Sequence, residues 1–162
     1  MSDNLPARRN TTDLEVAGGN EQFVTMTIAG QLFGIPVLSV QDVLGPQKIT
    51  RVPLSPPEVA GSLNLRGRVV TALDMRKRLA LPENAEGSAS MSIVVEHGGE
   101  LYSLIIDEVG EVLSLNDSIY ERNPGTLDPR WREVAAGVYR LDKELMVVLD
   151  VNRVLDISSI AA

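Results

Sequence analysis

Cysteine is absent from this 162-residue chain, which excludes disulfides, thiolate metal sites and cysteine nucleophiles outright. Aromatic residues make up only 4% of it, too few for the stacking platforms that hold single-stranded nucleic acid. Long apolar runs are missing too. Strand-like pieces such as Leu145 to Leu149 fall far short of the roughly 20 residues of a membrane span, so no direct membrane insertion is expected. Arg8 and Arg9 have no apolar stretch behind them and do not read as a secretory signal. Positive charge is in deficit: 15 Lys and Arg stand against 22 Asp and Glu, for a net charge of −7 and a pI near 4.7. That balance disfavours a binder of phosphate backbones. The expectation is a cytoplasmic protein without a nucleic-acid partner. Its length and 44% hydrophobic content suit one medium domain, or two small halves sharing a core.

What is present is a repeat. Residues 1–21 are polar and aperiodic and read as a disordered tail. From Phe23 onward Val24, Met26 and Ile28 alternate with Thr25 and Thr27, a strand pattern, and Ala29-Gly30 marks a hairpin. After a polar break from Pro82 to Ala89, the segment Ser92 to Tyr102 lies over Phe23 to Phe33, with Gly99 on Gly30 and Val112 on Val43. A second match sets Gly137 to Asp150 over Gly61 to Asp74: Leu141 on Leu65, Leu149 on Leu73, Asp150 on Asp74. It needs a larger offset, so the second half carries an insertion between about Ser114 and Ala136. Short strands with few helical patterns predict two small antiparallel barrels. A half of about 65 residues buries only ~60% of its unfolded surface, so the halves are expected to share a core. The barrels are placed at about 22–82 and 90–157, strand exchange between them being allowed, with a C-terminal tail at 158–162. Asp74 and Asp150 read as N-caps of short helices, and Ser55-Pro-Pro-Glu58 as a capping box.

Catalytic chemistry finds little support. His97, the one histidine, precedes Gly98-Gly99 at a hairpin tip, and no serine sits in a Gly-x-Ser-x-Gly elbow. Asp107-Glu108 and Glu111 alternate with apolar residues and read as a solvated face. Arg76-Lys77-Arg78 reads likewise as a solvated helix face. Trp131, between Arg130 and Arg132, suits either an interface anchor or a plug closing the second barrel. No enzyme, cofactor or metal site is expected. Arg66 is different: it lies between Leu65 and Gly67, beside Asn64, and neither it nor Asn64 nor Gly67 recurs in the second copy. The glycine permits a tight turn, and the guanidinium can fix a surface by holding a nearby carboxylate.

At Asn64-Leu-Arg-Gly67, followed by Arg68-Val-Val and Leu73-Asp-Met-Arg76, the chain resembles the bacterial chemotaxis coupling proteins, the CheW-like family. Leu32-Phe-Gly-Ile35 through Val43, Thr50-Arg-Val-Pro53, Tyr102 to Asp107 and Val109 to Leu115 extend the resemblance over about Gln22 to Ile157. It implies two five-stranded SH3-like barrels around a shared core, with short helices. It also implies a non-enzymatic adaptor that joins the cytoplasmic tips of chemoreceptors to a histidine kinase, whose regulatory domain has the same fold. The adaptor would be recruited to membrane-associated receptor arrays. Val40, Asp42 and Arg66 match positions implicated in receptor contact, and the opposite charges of Asp42 and Arg66 suggest that one orients the other. The kinase-binding residues are not implied. Thr71-Ala72 stands where many relatives have Pro-Val, Asp42 where glutamate is common, and Ser103 where some have glycine. Two further readings stay open: a coupling protein of a chemosensory-like pathway controlling pili or development, and a small-barrel module binding a ligand or nucleic acid.

Overall fold

The computed structural model describes residues 20–82, 90–116, 119–122 and 127–156. The sequence-predicted tails and most of the polar break lie outside those residues, although the first strand already starts at Asn20. The first half supplies β1 (Asn20–Ile28), β2 (Gln31–Pro36), a 3-10 turn (Val37–Ser39), β3 (Val40–Leu44), β4 (Val59–Leu65), β5 (Arg68–Asp74) and α1 (Met75–Arg78). The second supplies β6 (Met91–His97), β7 (Glu100–Ile106), β8 (Glu108–Asn116), β9 (Tyr120–Glu121), α2 (Pro129–Arg132), β10 (Ala135–Arg140), β11 (Leu145–Leu149) and α3 (Val151–Val154).

Two sheets form, in the orders β8-β1-β2-β11-β10-β9 and β3-β6-β7-β5-β4. The hairpin of the first half, β1-β2, sits beside β11 of the second, and the hairpin of the second, β6-β7, sits beside β5 of the first. Each sheet is therefore woven from both halves. All pairings are antiparallel except two seams between the halves, β2 with β11 and β5 with β7; the halves also meet in the antiparallel pairs β1-β8 and β3-β6. The sequence repeat is reproduced in these registers. Phe33 faces Val147 at one seam, and Tyr102 faces Thr71, their repeat partners, at the other. The larger sheet has one strand more than the five expected, because β9 pairs Glu121 with Val138. In the smaller sheet its counterpart shrinks to one bridge, Thr50 to Ser62.

The alternation in β1 now has a reason on both faces. Val24, Met26 and Ile28 enter a central core with Phe33, Ile35, Ile93, Val95 and Leu104. Phe23 points the other way, into the interior of the larger barrel with Tyr139, Met146 and Val148. The smaller barrel is filled at the repeat-equivalent places by Leu63, Val70 and Ala72. Asp74 and Asp150 cap α1 and α3 as expected, each accepting two helix N–H groups.

Three expectations fail. Residues 55–58 form no helix: Ser55 Oγ donates to Val52 O at 2.8 Å, and only a single turn closes, Val59 N–H to Pro56 O at 2.9 Å, before β4 takes over the backbone. Arg76 and Asp107 are not solvated faces but a bidentate pair, at 3.0 and 2.5 Å, with side chains 15% and 20% exposed. Arg78 likewise turns inward and donates to the carbonyls of Arg153 and Val154 at the end of α3, the favourable place for a cation. Of the two roles open to Trp131, the plug is nearer. Its Nε1–H donates to Leu79 O at 2.9 Å and its ring meets Phe33 edge-on, sealing the central core rather than a barrel interior.

Candidate functional site

The Asn64-Leu-Arg-Gly motif forms the tip of the β4-β5 hairpin. Leu65 pairs with Arg68, so the loop is only Arg66-Gly67, and both residues have positive φ, +52° and +85°. That is the signature of a type I′ turn, whose twist matches a right-handed hairpin and which favours Asn-Gly or Gly-Gly. Gly67 adopts its φ freely. Arg66 does not, since a left-handed conformation costs an L-residue about 1 kcal/mol. Asn64 supports the turn from the strand, its Oδ1 accepting the Gly67 N–H at 3.0 Å. In the second copy the matching loop, Asp142-Lys143, is closed by Leu141 N–H to Glu144 O, and neither residue is among those with positive φ.

From this tip the Arg66 guanidinium reaches Asp42 Oδ2 at 2.9 Å. Asp42 lies on β3 and Arg66 follows β4, the two opposite edges of the five-stranded sheet. The ion pair thus bridges the seam where that sheet curls into a barrel. Asp42 Oδ1 accepts its neighbour's amide, Val43 N–H, at 2.9 Å. Oδ2 is buried and meets no donor at a hydrogen-bonding angle, so the contact with Arg66 is a short, oblique charge pair rather than a directed bond. Its exposure is lopsided, 25% for the Asp42 side chain and 76% for Arg66. The cation faces outward, anchored at one corner and open on the rest of its surface.

Of the sequence-predicted residues, the structure brings Asp42, Asn64, Arg66 and Gly67 into one hairpin-to-edge constellation. Val40 precedes a bulge in β3 and is half-buried against the central core. The exposed apolar surface nearby comes from residues that pattern reading missed: Leu38, Val43 and Val69, the first 95% exposed. Leu38 was legible only as one more apolar residue in a strand-like run. Its exposure follows from the 3-10 turn that breaks the alternation. His97 ends β6 beside the Gly98-Gly99 turn and is exposed, as expected.

The arrangement offers an exposed cation, a fixed backbone corner and apolar residues on the flanking strands. Among the described residues no three His, Asp or Glu side chains converge to hold a metal ion. Two interlaced β-barrels with a charged corner at one hairpin tip define a small-barrel scaffold.

The CheW-like domain model matches residues 22–159, and the chain belongs to the CheW-like family. It is 30% identical over 136 residues to the chemotaxis protein CheW of Bacillus subtilis, with 84% of this chain and 87% of that protein covered. The chemotaxis protein CheW of Helicobacter pylori is 26% identical over 134 residues, covering 83% and 81%. Among solved structures, the scaffolding protein TtCheW from Thermoanaerobacter tengcongensis superposes with a TM-score of 0.76 at 25% identity, over 85% of this chain and 93% of that one.

Proposed function

We propose that this chain is a non-enzymatic adaptor in a chemotaxis pathway, holding the cytoplasmic tips of chemoreceptors and a histidine kinase at the same time. The reading rests chiefly on Arg66. An arginine kept at a left-handed turn position, where glycine or asparagine would be unstrained, points to a use for its side chain beyond the turn. The Asp42 carboxylate holds that side chain at one corner, leaving its outer donors for a partner. Receptor-tip helices would lay apolar residues along β3, near Val40 and Val43, while Arg66 and Asp42 set the angle of approach. Asn64 and Gly67 keep the corner in place. The kinase, through a regulatory domain of the same fold, would use another patch of the barrels.

The weaving of both halves into each sheet supports a role as a stiff relay. A displacement at one barrel pulls on strands of the other, so receptor movement can reach the kinase through the body of the adaptor. Each contact can be modest alone, since clustering beneath a membrane-associated array raises effective concentration. The test is co-sedimentation with receptor-tip assemblies and with kinase, wild type beside Arg66→Glu. The variant should remain folded and lose one or both partners. Normal recovery of both would reduce Arg66 to a structural residue.

A further inference from the structure

The chain passes between the two sheets at two places that the internal repeat makes equivalent. One is the 3-10 turn Val37–Ser39, which leads from β2 of the larger sheet to β3 of the smaller. The other is Asp107, aligned with Leu38 and set between β7 of the smaller sheet and β8 of the larger. A line through these crossovers is the natural axis for any rocking of one barrel against the other.

Polar contacts between the barrels converge on one segment, α1 and the turn after it. α1 continues from β5 of the smaller sheet, whereas α2 leads into β10 and α3 follows β11 of the larger. Arg76 holds the crossover itself, through Asp107 at 3.0 and 2.5 Å. Arg78 donates to Val154 O at 2.9 Å and Arg153 O at 2.8 Å, at the end of α3. In return, α2 grips the turn: Trp131 Nε1–H donates to Leu79 O at 2.9 Å and Arg130 to Ala80 O at 3.1 Å. The second copy carries Asn152 and the buried Val154 where α1 has Arg76 and Arg78. A helix in this place therefore does not need the two cations in order to fold.

The turn is also strained. Ala80 N–H to Lys77 O and Leu81 N–H to Arg76 O close a Schellman motif, whose left-handed position is normally a glycine. Here it is Ala80, at a φ of +57°. Such strain persists where the surroundings hold it, and the carbonyls held by Trp131 and Arg130 are those of this turn.

We propose that α1 and its turn are a latch that sets the angle between the two barrels, and that releasing it lets them rock about the two crossovers with neither unfolding. The shared apolar core permits a small shear, because apolar packing has no direction, whereas each polar contact requires one geometry. The latch does not depend on Arg66 or on either partner.

The chain has no cysteine, so Glu96→Cys and Val112→Cys, at exposed positions of β6 and β8, place a spin label on each sheet. Pulsed electron–electron resonance on the full chain then reads the distance between the barrels. The otherwise unaltered protein should give one narrow distribution. Arg78→Met combined with Trp131→Phe keeps apolar bulk and a ring beside Phe33 while removing the donors to Arg153, Val154 and Leu79. This double variant should broaden the distribution about twofold or add a second maximum, with an unchanged circular dichroism spectrum, and each substitution alone should broaden it less. Leu63→Ala, inside the smaller barrel, should lower the melting temperature by about 5 °C or more and leave the distribution narrow. An unchanged distribution in the double variant would overturn the proposal. So would equal broadening in Leu63→Ala, which would mark a general loosening, or unfolding of the single variants, which would make these contacts part of the fold's assembly.

Discussion

Replacing Arg66 with glycine separates the two roles that the residue combines. Its positive φ costs an arginine about 1 kcal/mol and a glycine nothing. Against that relief stands the ion pair with Asp42. Because the Arg66 side chain is 76% exposed, the solvent-screened pair contributes about 0.5 kcal/mol. Asp42 Oδ2 would lose its partner, at up to about 1 kcal/mol for a buried acceptor, moderated because a quarter of that side chain reaches water. Glycine also adds freedom to the unfolded chain, about 0.5 kcal/mol. These contributions nearly cancel, so Arg66→Gly should unfold in urea within about 1 kcal/mol of wild type, with an unchanged slope. It should nevertheless lose partner recovery in co-sedimentation, the outcome expected of Arg66→Glu. Arg66→Glu keeps the strained turn and sets a carboxylate against Asp42, and should be about 1 kcal/mol less stable than the glycine variant. A loss of more than about 3 kcal/mol in Arg66→Gly, well outside this balance, would show that the arginine builds the barrel. Wild-type binding by the glycine variant would show that the side chain is not used.

Other outcomes follow from the same geometry. Arg76→Ala should cost about 2 kcal/mol in chemical denaturation, because it strands the largely buried Asp107 carboxylate. Burial alone would raise the Asp107 carboxyl, but the Arg76 guanidinium and the Ala29 N–H together hold it below its usual value. A depressed folded value means that this stabilisation is complete above the ordinary carboxylate range and fades as pH falls through the folded value. Wild type should therefore lose more stability on acidification below about pH 4 than Asp107→Asn does, and equal slopes would contradict the pairing. Gly61→Ala should fail to fold or lose roughly 3 kcal/mol or more, since a Cβ there would sit 2.2 Å from Thr50 O at a φ of +150°. Circular dichroism and thermal melts read that directly. Asp150→Ala, which removes the acceptor of the Asn152 and Arg153 N–H groups, should cost about 1 kcal/mol, visible as a lowered melting temperature.

Much of the fold was legible because the repeat carries its own punctuation. Gly30 and Gly99 marked equivalent hairpins, Asp74 and Asp150 equivalent caps, and those pairs fixed which strands correspond. What the pattern could not show was which hairpin joins which sheet. β1-β2 has apolar residues on both faces, and period-two alternation is silent about the partner strand, here a parallel neighbour from the other half. Asn64, Arg66 and Gly67 stood out because the second copy lacks them, whereas Asp42 entered only through the family resemblance, and the two-residue turn that carries Arg66 needed the fold. The Arg76–Asp107 pair was not readable, because a basic run and an acidic run each look like solvated surface until a fold sets one against the other. The exposure of Leu38 needed the fold as well, because it follows from the 3-10 turn that interrupts the alternation.

The central claim is that the chain bridges two partners. Receptor-tip fragment immobilised on beads, incubated with the kinase in the presence and absence of this protein, tests it most directly. The account predicts that kinase is retained only when the protein is added, and that Arg66→Gly, folded and equally stable, fails to retain it. Kinase retention that is the same with and without the protein would contradict the bridging role.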